Sequence, residues 1–323
     1  MSKKFTLVVD SSQITTFLTC PQLWYNLNIQ RIVPVSLREK DEAMNAGTYG
    51  HKLLDIYYRM RFRKFSLNDA VAACFAYNPD NVMCDCGCPA DVHKVVLSFN
   101  ECTRCKKCLK FRPHPFPLSA ENRIAVRNRF RDYCFKYNGN DFAPSSENHV
   151  EVGFSVPIHE DDENLFVLEG RVDLIGQLQG LNCFVDHKFQ MKTHWLYTKS
   201  IQFKNYALAT RIMTLIINYV RLQKDFKPDS LAREIVSFTP HELYEWKKRL
   251  VKILFKMKDI IVNPDHVMDE RHWNSCSGYK MTFNKNEPNY CFYNTLCEET
   301  DATMLARKQQ QLFKIQPVAW RPW

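Results

Sequence analysis

Gly170 to Gln190 reads GRVDLIGQLQGLNCFVDHKFQ, and QFKNY follows at Gln202 to Tyr206. Leu165 to Gly176 is rich in β-branched and aliphatic residues, as is Asn182 to Phe189, and Gln179-Gly180 between them has turn composition. The pattern predicts a β-hairpin. Side chains alternate between the faces of a strand, so Asp186 and Lys188 share one face and His187 takes the other. Asp173, near the end of the partner strand, is placed to meet them. Two converging carboxylates repel each other unless a cation lies between them, and oxygen ligands of this kind suit Mg²⁺ or Mn²⁺. A cation there polarises a phosphodiester and acidifies a bound water, with Lys188 placed to position that water or to stabilise charge on phosphorus. A D-x-K pair alone is what any solvated strand face produces. Its neighbours give it weight.

With these residues set in order, most of the chain resembles the RecB-type branch of the PD-(D/E)XK nuclease superfamily, including its iron–sulfur, RecB/AddB-like and CRISPR-associated exonuclease-like members. GTYGH at Gly47 to His51 is similar to that branch's upstream motif, GRVD to its first acidic motif, and Asp186-His187-Lys188 to its second, with aspartate where many relatives carry glutamate. Gln202 and Tyr206, four apart on one helix face, are similar to its glutamine-tyrosine motif. The resemblance implies metal ligation by His51, Asp173, Asp186 and the backbone carbonyl of His187. It also implies a catalytic Lys188, organised by Gln202 and Tyr206, which contact the nucleic acid. A histidine ligand would tilt metal preference toward Mn²⁺. Glu151, in HVEVGFSV, stands where relatives often have a glutamate, but a solvated strand face explains it equally, and no catalytic role is expected of it.

Thirteen cysteines, with no secretory signal in the sequence, point to a reducing, cytoplasmic setting (host cytoplasm for a viral chain), where clustered thiols mean metal rather than disulfides. Cys20 lies in FLTCPQLWY, and Cys276, Cys291 and Cys297 lie in a loop-rich C-terminal stretch. Four thiolates suffice for a [4Fe–4S] cluster. The resemblance implies that one N-terminal and three C-terminal cysteines staple the ends of the domain, although the loop from Cys276 to Cys291 is longer than the usual C-x-x-C. The competing arrangement buries Cys20 as a hydrophobe and binds Zn²⁺ through the other three with a histidine such as His272. A second group is denser: Cys84, Cys86, Cys88 and His93, then Cys102, Cys105 and Cys108. Such hooks form tetrahedral zinc sites, and the expected set is two of Cys84, Cys86, Cys88 and His93 with Cys102 and Cys105, Cys108 competing. Six cysteines and a histidine exceed the needs of one zinc. The metal would stand in for a core in a segment poor in apolar residues. Cys74, Cys134 and Cys183 read as ordinary buried residues.

The 323 residues, 45% apolar with no unbroken apolar span, describe a soluble chain able to bury a sizeable core, with no membrane partner. The expected fold is α/β: a restriction-endonuclease-like core of helix, three strands, helix and strand, with a cysteine-rich zinc insertion and a C-terminal iron–sulfur segment. Boundaries fall at 1–77 for an N-terminal helical part, 78–118 for the insertion, 119–262 for the nuclease core and 263–323 for the iron–sulfur segment and tail. The last core strand is expected at Arg233 to Phe238. A helix then starts at Thr239 as N-cap with Pro240 and Glu242, burying Leu243, Trp246, Leu250, Leu254 and Met257. The formal charge is +9, with Arg123, Arg127, Arg129 and Arg131 on one helix and Lys247, Lys248, Arg249, Lys252 and Lys256 on another. Arg123, Arg127, Lys248 and Lys252 are candidate nucleic-acid contacts. Trp195, Tyr197 and Tyr206 are placed to stack on unpaired bases of single-stranded DNA or duplex ends. The expected activity is a metal-dependent deoxyribonuclease, an exonuclease in repair, recombination or replication. Two other readings are a nucleic-acid-binding module that retains its metals only for structure, and an accessory subunit active with a helicase, since the sequence has no G-x-x-x-x-G-K-[ST] loop of its own.

Overall fold

The computed structural model describes residues 4–34, 42–77, 93–96, 99–102, 118–190, 200–222, 230–267, 291, 293–297 and 301–315. In chain order the elements are β1 (Phe5–Val9), α1 (Ser11–Thr19), α2 (Pro21–Trp24) running into a π-helical turn (Tyr25–Ile29), β2 (Ile32–Pro34), α3 (Glu42–Phe62) and α4 (Leu67–Ala76). A short hairpin, β3 (His93–Val96) and β4 (Phe99–Cys102), precedes α5 (Ala120–Lys136), β5 (Ala143–Pro144), β6 (Val150–Glu160), β7 (Asn164–Leu178) and β8 (Leu181–Gln190). Then come α6 (Ile201–Thr210), β9 (Thr214–Arg221), β10 (Leu231–Ser237), α7 (Pro240–Val262), α8 (Asn294–Cys297), α9 (Ala302–Leu312) and β11 (Phe313–Ile315).

The central sheet has seven strands in the order β1-β7-β8-β9-β10, with β5 and β6 also pairing with β7. β1 runs parallel to β7 and β9 parallel to β8, while the other pairings are antiparallel. The β7–β8 turn is tight because Gln179 and Gly180 both take positive φ, +51° and +82°, the twist a two-residue hairpin turn demands. Helix, three strands, helix and strand follow one another as α5, β6 to β8, α6 and β9, a mixed α/β arrangement consistent with a restriction-endonuclease-like core.

One expectation needs correction. The strand that follows α6 is β9, whose TLIINYVR is buried along nearly its whole length, and the expected Arg233 to Phe238 strand is the next one out, β10. Because β9 lies between two strands and under helices, it has no alternation for a sequence reading to find.

The sheet is covered on both faces. Tyr49, Leu53 and Tyr57 of α3 and Phe130 of α5 pack with Val185, Ile216 and Val220 on one side. On the other, Phe203 and Tyr206 of α6 meet Phe184 and Ile217, while Trp246, Leu250 and Leu254 of α7 meet Leu7, Phe166 and Leu168. The five apolar residues expected to face inward from α7 are all buried, and Thr239 and Glu242 form the capping box. At about 1.5–3 kcal/mol for each fully buried large side chain, that stripe fixes α7 against the sheet.

Candidate active site

β7 and β8 pair only from Leu174 with Val185 out to Leu178 with Leu181. Beyond Leu174 the ladder is replaced by a side chain: Asp173 Oδ2 accepts the His187 amide at 2.7 Å. Asp186 and Lys188 do share a face, with Lys188 Nζ 2.6 Å from Asp186 Oδ2 and 5.6 Å from the centroid of the Phe203 ring. His187 turns the other way and stacks on Tyr58 of α3, with ring centroids 5.7 Å apart. Arg233 donates to Asn218 Oδ1 at 3.4 Å, which leaves Asn218 Nδ2 to donate to His187 Nδ1 at 2.8 Å and places the ring proton on Nε2. Burial holds His187 well below its ordinary pKa, so the ring is neutral.

α3 brings His51 to the same place, its Nδ1 3.4 Å from Asp173 Oδ2 and its ring beside those of His187 and Phe189. Burial pushes the His51 pKa down to about 4, against the pull of the Asp186 charge, so it offers a lone pair at neutral pH. The third member is Glu151, which the sequence reading assigned no role. One ligand atom each from His51, Glu151 and Asp173 lie within 4.8 Å of one another. Glu151 is also gripped by Arg171 at 3.0 Å. Its backbone takes φ +55°, a left-handed conformation inside a strand, and the β6–β7 register runs from Val150–Leu174 to Val152–Val172 across it. That register keeps Glu151 level with Asp173 on the neighbouring strand, and the left-handed turn at Glu151 accompanies a carboxylate that meets Asp173.

Desolvation raises both carboxyls, Asp173 to about 6 and Glu151 to about 8, the charge of Asp173 adding to the rise of Glu151. Burial also raises Asp186, opposed by Lys188. Half-buried carboxylates held this close, with a neutral imidazole beside them, form an arrangement that a divalent cation relieves. Ligands at about 2.1 Å from an octahedral ion stand about 3–4 Å apart, so an N,O,O set within 4.8 Å fits Mg²⁺ or Mn²⁺ after a small contraction. Asp186 stands outside this triad, turned to Lys188. On α6, Gln202 Nε2 donates to Tyr206 Oη at 2.6 Å, and Tyr206 packs edge-on against Phe184.

Other expected site residues fall elsewhere. Cys20, Cys291 and Cys297 share one cluster with Leu23 and Tyr293, at the junction of the two ends of the chain. Cys276, Trp195 and the zinc candidates Cys84, Cys86, Cys88, Cys105 and Cys108 lie outside the described residues. His93 and Cys102 are paired across the β3–β4 hairpin. The α5 arginines do not form one exposed stripe. Arg127 donates to Tyr49 Oη at 2.7 Å and to the carbonyls of Phe75 and Tyr77 at 3.1 Å, tying α5 to α3 and α4, and Arg129 is buried beside Asp132. Three acceptors on neighbouring elements hold Arg127 inward. Lys248 and Lys252 line an open cleft on α7.

The sequence matches the family model described as the PD-(D/E)XK nuclease superfamily over residues 11–298. The chain belongs to this superfamily of metal-dependent nucleases, which use Mg²⁺ or Mn²⁺. Among curated proteins none matches it. Of the solved structures, it is similar to one titled "Crystal structure of SSO0001", at 12% identity and a TM-score of 0.27, over 42% of this chain and 61% of that one. An overlap that loose informs neither the fold nor the site. No helix among the described residues is long and apolar enough to cross a membrane.

Proposed function

We propose that this chain is a RecB-like deoxyribonuclease, acting as an exonuclease in DNA repair, recombination or replication. The observation that supports it most directly is the convergence of His51, Glu151 and Asp173 beside the Asp186–Lys188 pair. His51, Glu151, Asp173, Asp186 and the His187 carbonyl would hold the cation, which when bound supplies positive charge to a phosphodiester oxygen and to the attacking water. The His187 amide fixes the direction of Asp173 Oδ2, and the Lys188 ammonium, seated between Asp186 and Phe203, is placed to stabilise charge growing on the phosphate. Gln202 and Tyr206 close the far side of this group and meet the strand being cut.

The same reading takes Cys20, Cys276, Cys291 and Cys297 as ligands of a [4Fe–4S] cluster, and the cysteine-rich 78–118 segment as a zinc-binding insertion. Three of those four cysteines sharing one cluster supports the first, and the His93–Cys102 register supports the second. The test is digestion of end-labelled single- and double-stranded DNA by anaerobically purified protein with Mg²⁺, Mn²⁺ or EDTA. Metal-dependent trimming that disappears in Asp186→Ala and Lys188→Ala, with DNA affinity retained, is the expected result. Cleavage that persists in both variants overturns the assignment. Binding without cleavage moves the reading to a binding module or a helicase-dependent subunit.

A further inference from the structure

We propose that the cleft between α6 and the first four turns of α7 is a second substrate surface, holding the phosphodiester backbone of a nucleic-acid strand about three nucleotides from the bond that is cut. The identity of the substrate rests on the nuclease reading above. The cleft encloses about 480 Å³ and takes Lys204 from α6 with Lys248, Arg249 and Lys252 from α7.

Two carboxylates also reach the cleft, and both are engaged. Glu242 Oε2 accepts the Thr239 amide at 2.8 Å and the Thr239 hydroxyl at 2.9 Å, completing the helix cap. Glu245 Oε1 takes Lys248 at 3.1 Å. Among the described residues, no carboxylate stands within 4.0 Å of Lys204, Arg249 or Lys252. The charge of Glu242 still reaches Lys204, but four cations against two carboxylates leave the cleft net positive, and an excess of cations on one concave surface is repulsive unless a polyanion covers it. Arg249 and Lys252 are spaced to lie on one side of α7, and Lys204 faces them from α6.

The walls are held rigidly. Trp246 Nε1 donates to Asn205 Oδ1 at 2.8 Å, and Asn205 Nδ2 donates to Ser11 Oγ at 3.0 Å, so α6, α7 and α1 are pinned beneath the cleft. α6 also links the cleft to the active site. Gln202 and Tyr206 share one side of that helix, and Lys204 projects roughly 200° away from each. A strand leaving the active site therefore crosses one helix, about 10–12 Å, to reach the cleft, which is about three nucleotides at roughly 3.4 Å each.

The test is binding of a fluorescent single-stranded oligonucleotide long enough to cross α6, measured by anisotropy in EDTA so that cleavage plays no part, between about 50 and 200 mM salt. Each phosphate neutralised on a single strand contributes about 0.7 to the slope of log affinity against log salt. The Lys204→Gln/Arg249→Gln/Lys252→Gln variant should lose about 2 from that slope. Lys247→Gln/Lys256→Gln, on the same helix but outside the cleft lining, should lose none, and circular dichroism checks that both variants fold. An unchanged slope in the triple variant, or an equal loss per charge in the control, overturns the cleft and leaves its cations to an acidic protein partner or to diffuse charge. In either of those cases cleavage by the parent protein keeps the nuclease reading. A parent that binds with a cleft-dependent slope but never cuts with Mg²⁺ or Mn²⁺ keeps the cleft and removes the nuclease reading.

Discussion

Glu151 carries a left-handed backbone, φ +55°, and a carboxylate facing Asp173, two features that each oppose folding. A non-glycine residue held there costs about 1–3 kcal/mol, and such strain gathers where function requires it. Removing the charge should therefore have opposite effects on stability and on metal binding. Glu151→Gln is expected to raise the melting temperature of the metal-free protein above pH 8, because one of two repelling charges is gone. The same variant should weaken Mn²⁺ binding by at least about tenfold, the lower end of what even outer partners of a metal site contribute. Thermal melts in EDTA and calorimetric titration with Mn²⁺ read the two effects separately. The raised carboxyls also set a pH dependence. Both Asp173 and Glu151 have folded pKa values above their ordinary 3.8 and 4.5, so the folded chain holds more protons than the unfolded one up to about pH 8. The metal-free protein should therefore lose stability as pH rises from about 4 to about 8, the Asp173 share by about 6 and the Glu151 share by about 8. Mn²⁺ displaces those protons, so its affinity should climb through the same window and level off above it. Titrations in two buffers of different ionisation enthalpy measure the protons released, and a count of zero at pH 7 would remove this account.

α3 lies close enough to β8 that its glycines are not equivalent. A Cβ on Gly50 would come within 2.5 Å of the Phe189 ring, whereas one on Gly47 would meet only the Phe189 carbonyl oxygen at 3.5 Å. Gly50→Ala must push α3 away from the strand that carries Asp186 and Lys188, and it moves the neighbouring His51 with it. The expected loss is about 1–3 kcal/mol of stability, together with weaker metal binding. Gly47→Ala should be neutral or stabilising by up to about 1 kcal/mol, since alanine favours the helix. Chemical denaturation of the two variants checks the contrast. The elements that were legible in the sequence are those whose signals are local: the β7–β8 hairpin with its Gln179-Gly180 turn, the capping box of α7, and the four-residue spacing of Gln202 and Tyr206. β9 was not legible because burial on both sides erases alternation. β1 escaped because its partner β7 lies far along the chain, and Glu151 because its left-handed backbone breaks the strand periodicity from which a side chain's direction is read. Arg127 reads as surface charge in sequence, and only packing reveals the three acceptors that hold it inward.

At the scale of the molecule, two connections hold distant parts of the chain together. Arg233 of β10 reaches Asp141 at 2.6 Å and Tyr133 Oη at 3.0 Å, with its guanidinium 3.6 Å from the Tyr137 ring centroid and 4.0 Å from that of Phe142. Through Asn218 the same side chain orients His187, so the far edge of the sheet is coupled to the active site. Arg233→Ala should cost about 3–5 kcal/mol, because Asp141 is left buried without its counter-charge. Pairing Arg233→Met with Asp141→Asn should recover part of that loss in denaturation curves, and full additivity would rule out the coupling. The second connection joins the two ends. β2 pairs with β11, Tyr293 Oη donates to the Ile32 carbonyl, and Cys20 meets Cys291 and Cys297 in one cluster. A cross-link between Cys20 and the C-terminal cysteines closes nearly the whole chain into one loop, and in chain-entropy reckoning a closure that long contributes on the order of 5 kcal/mol. If an iron–sulfur centre supplies that cross-link, Cys20→Ser should lose most of its iron when purified anaerobically, and proteolysis should then open the C-terminal segment first. The sheet, packed between α3, α5, α6 and α7, should resist digestion for longer. Iron content and a timed protease digest together decide the matter: full iron in the variant would exclude Cys20 as a ligand, and lost iron with unchanged protection would show that the β2–β11 pairing and the Tyr293 contact join the ends without it.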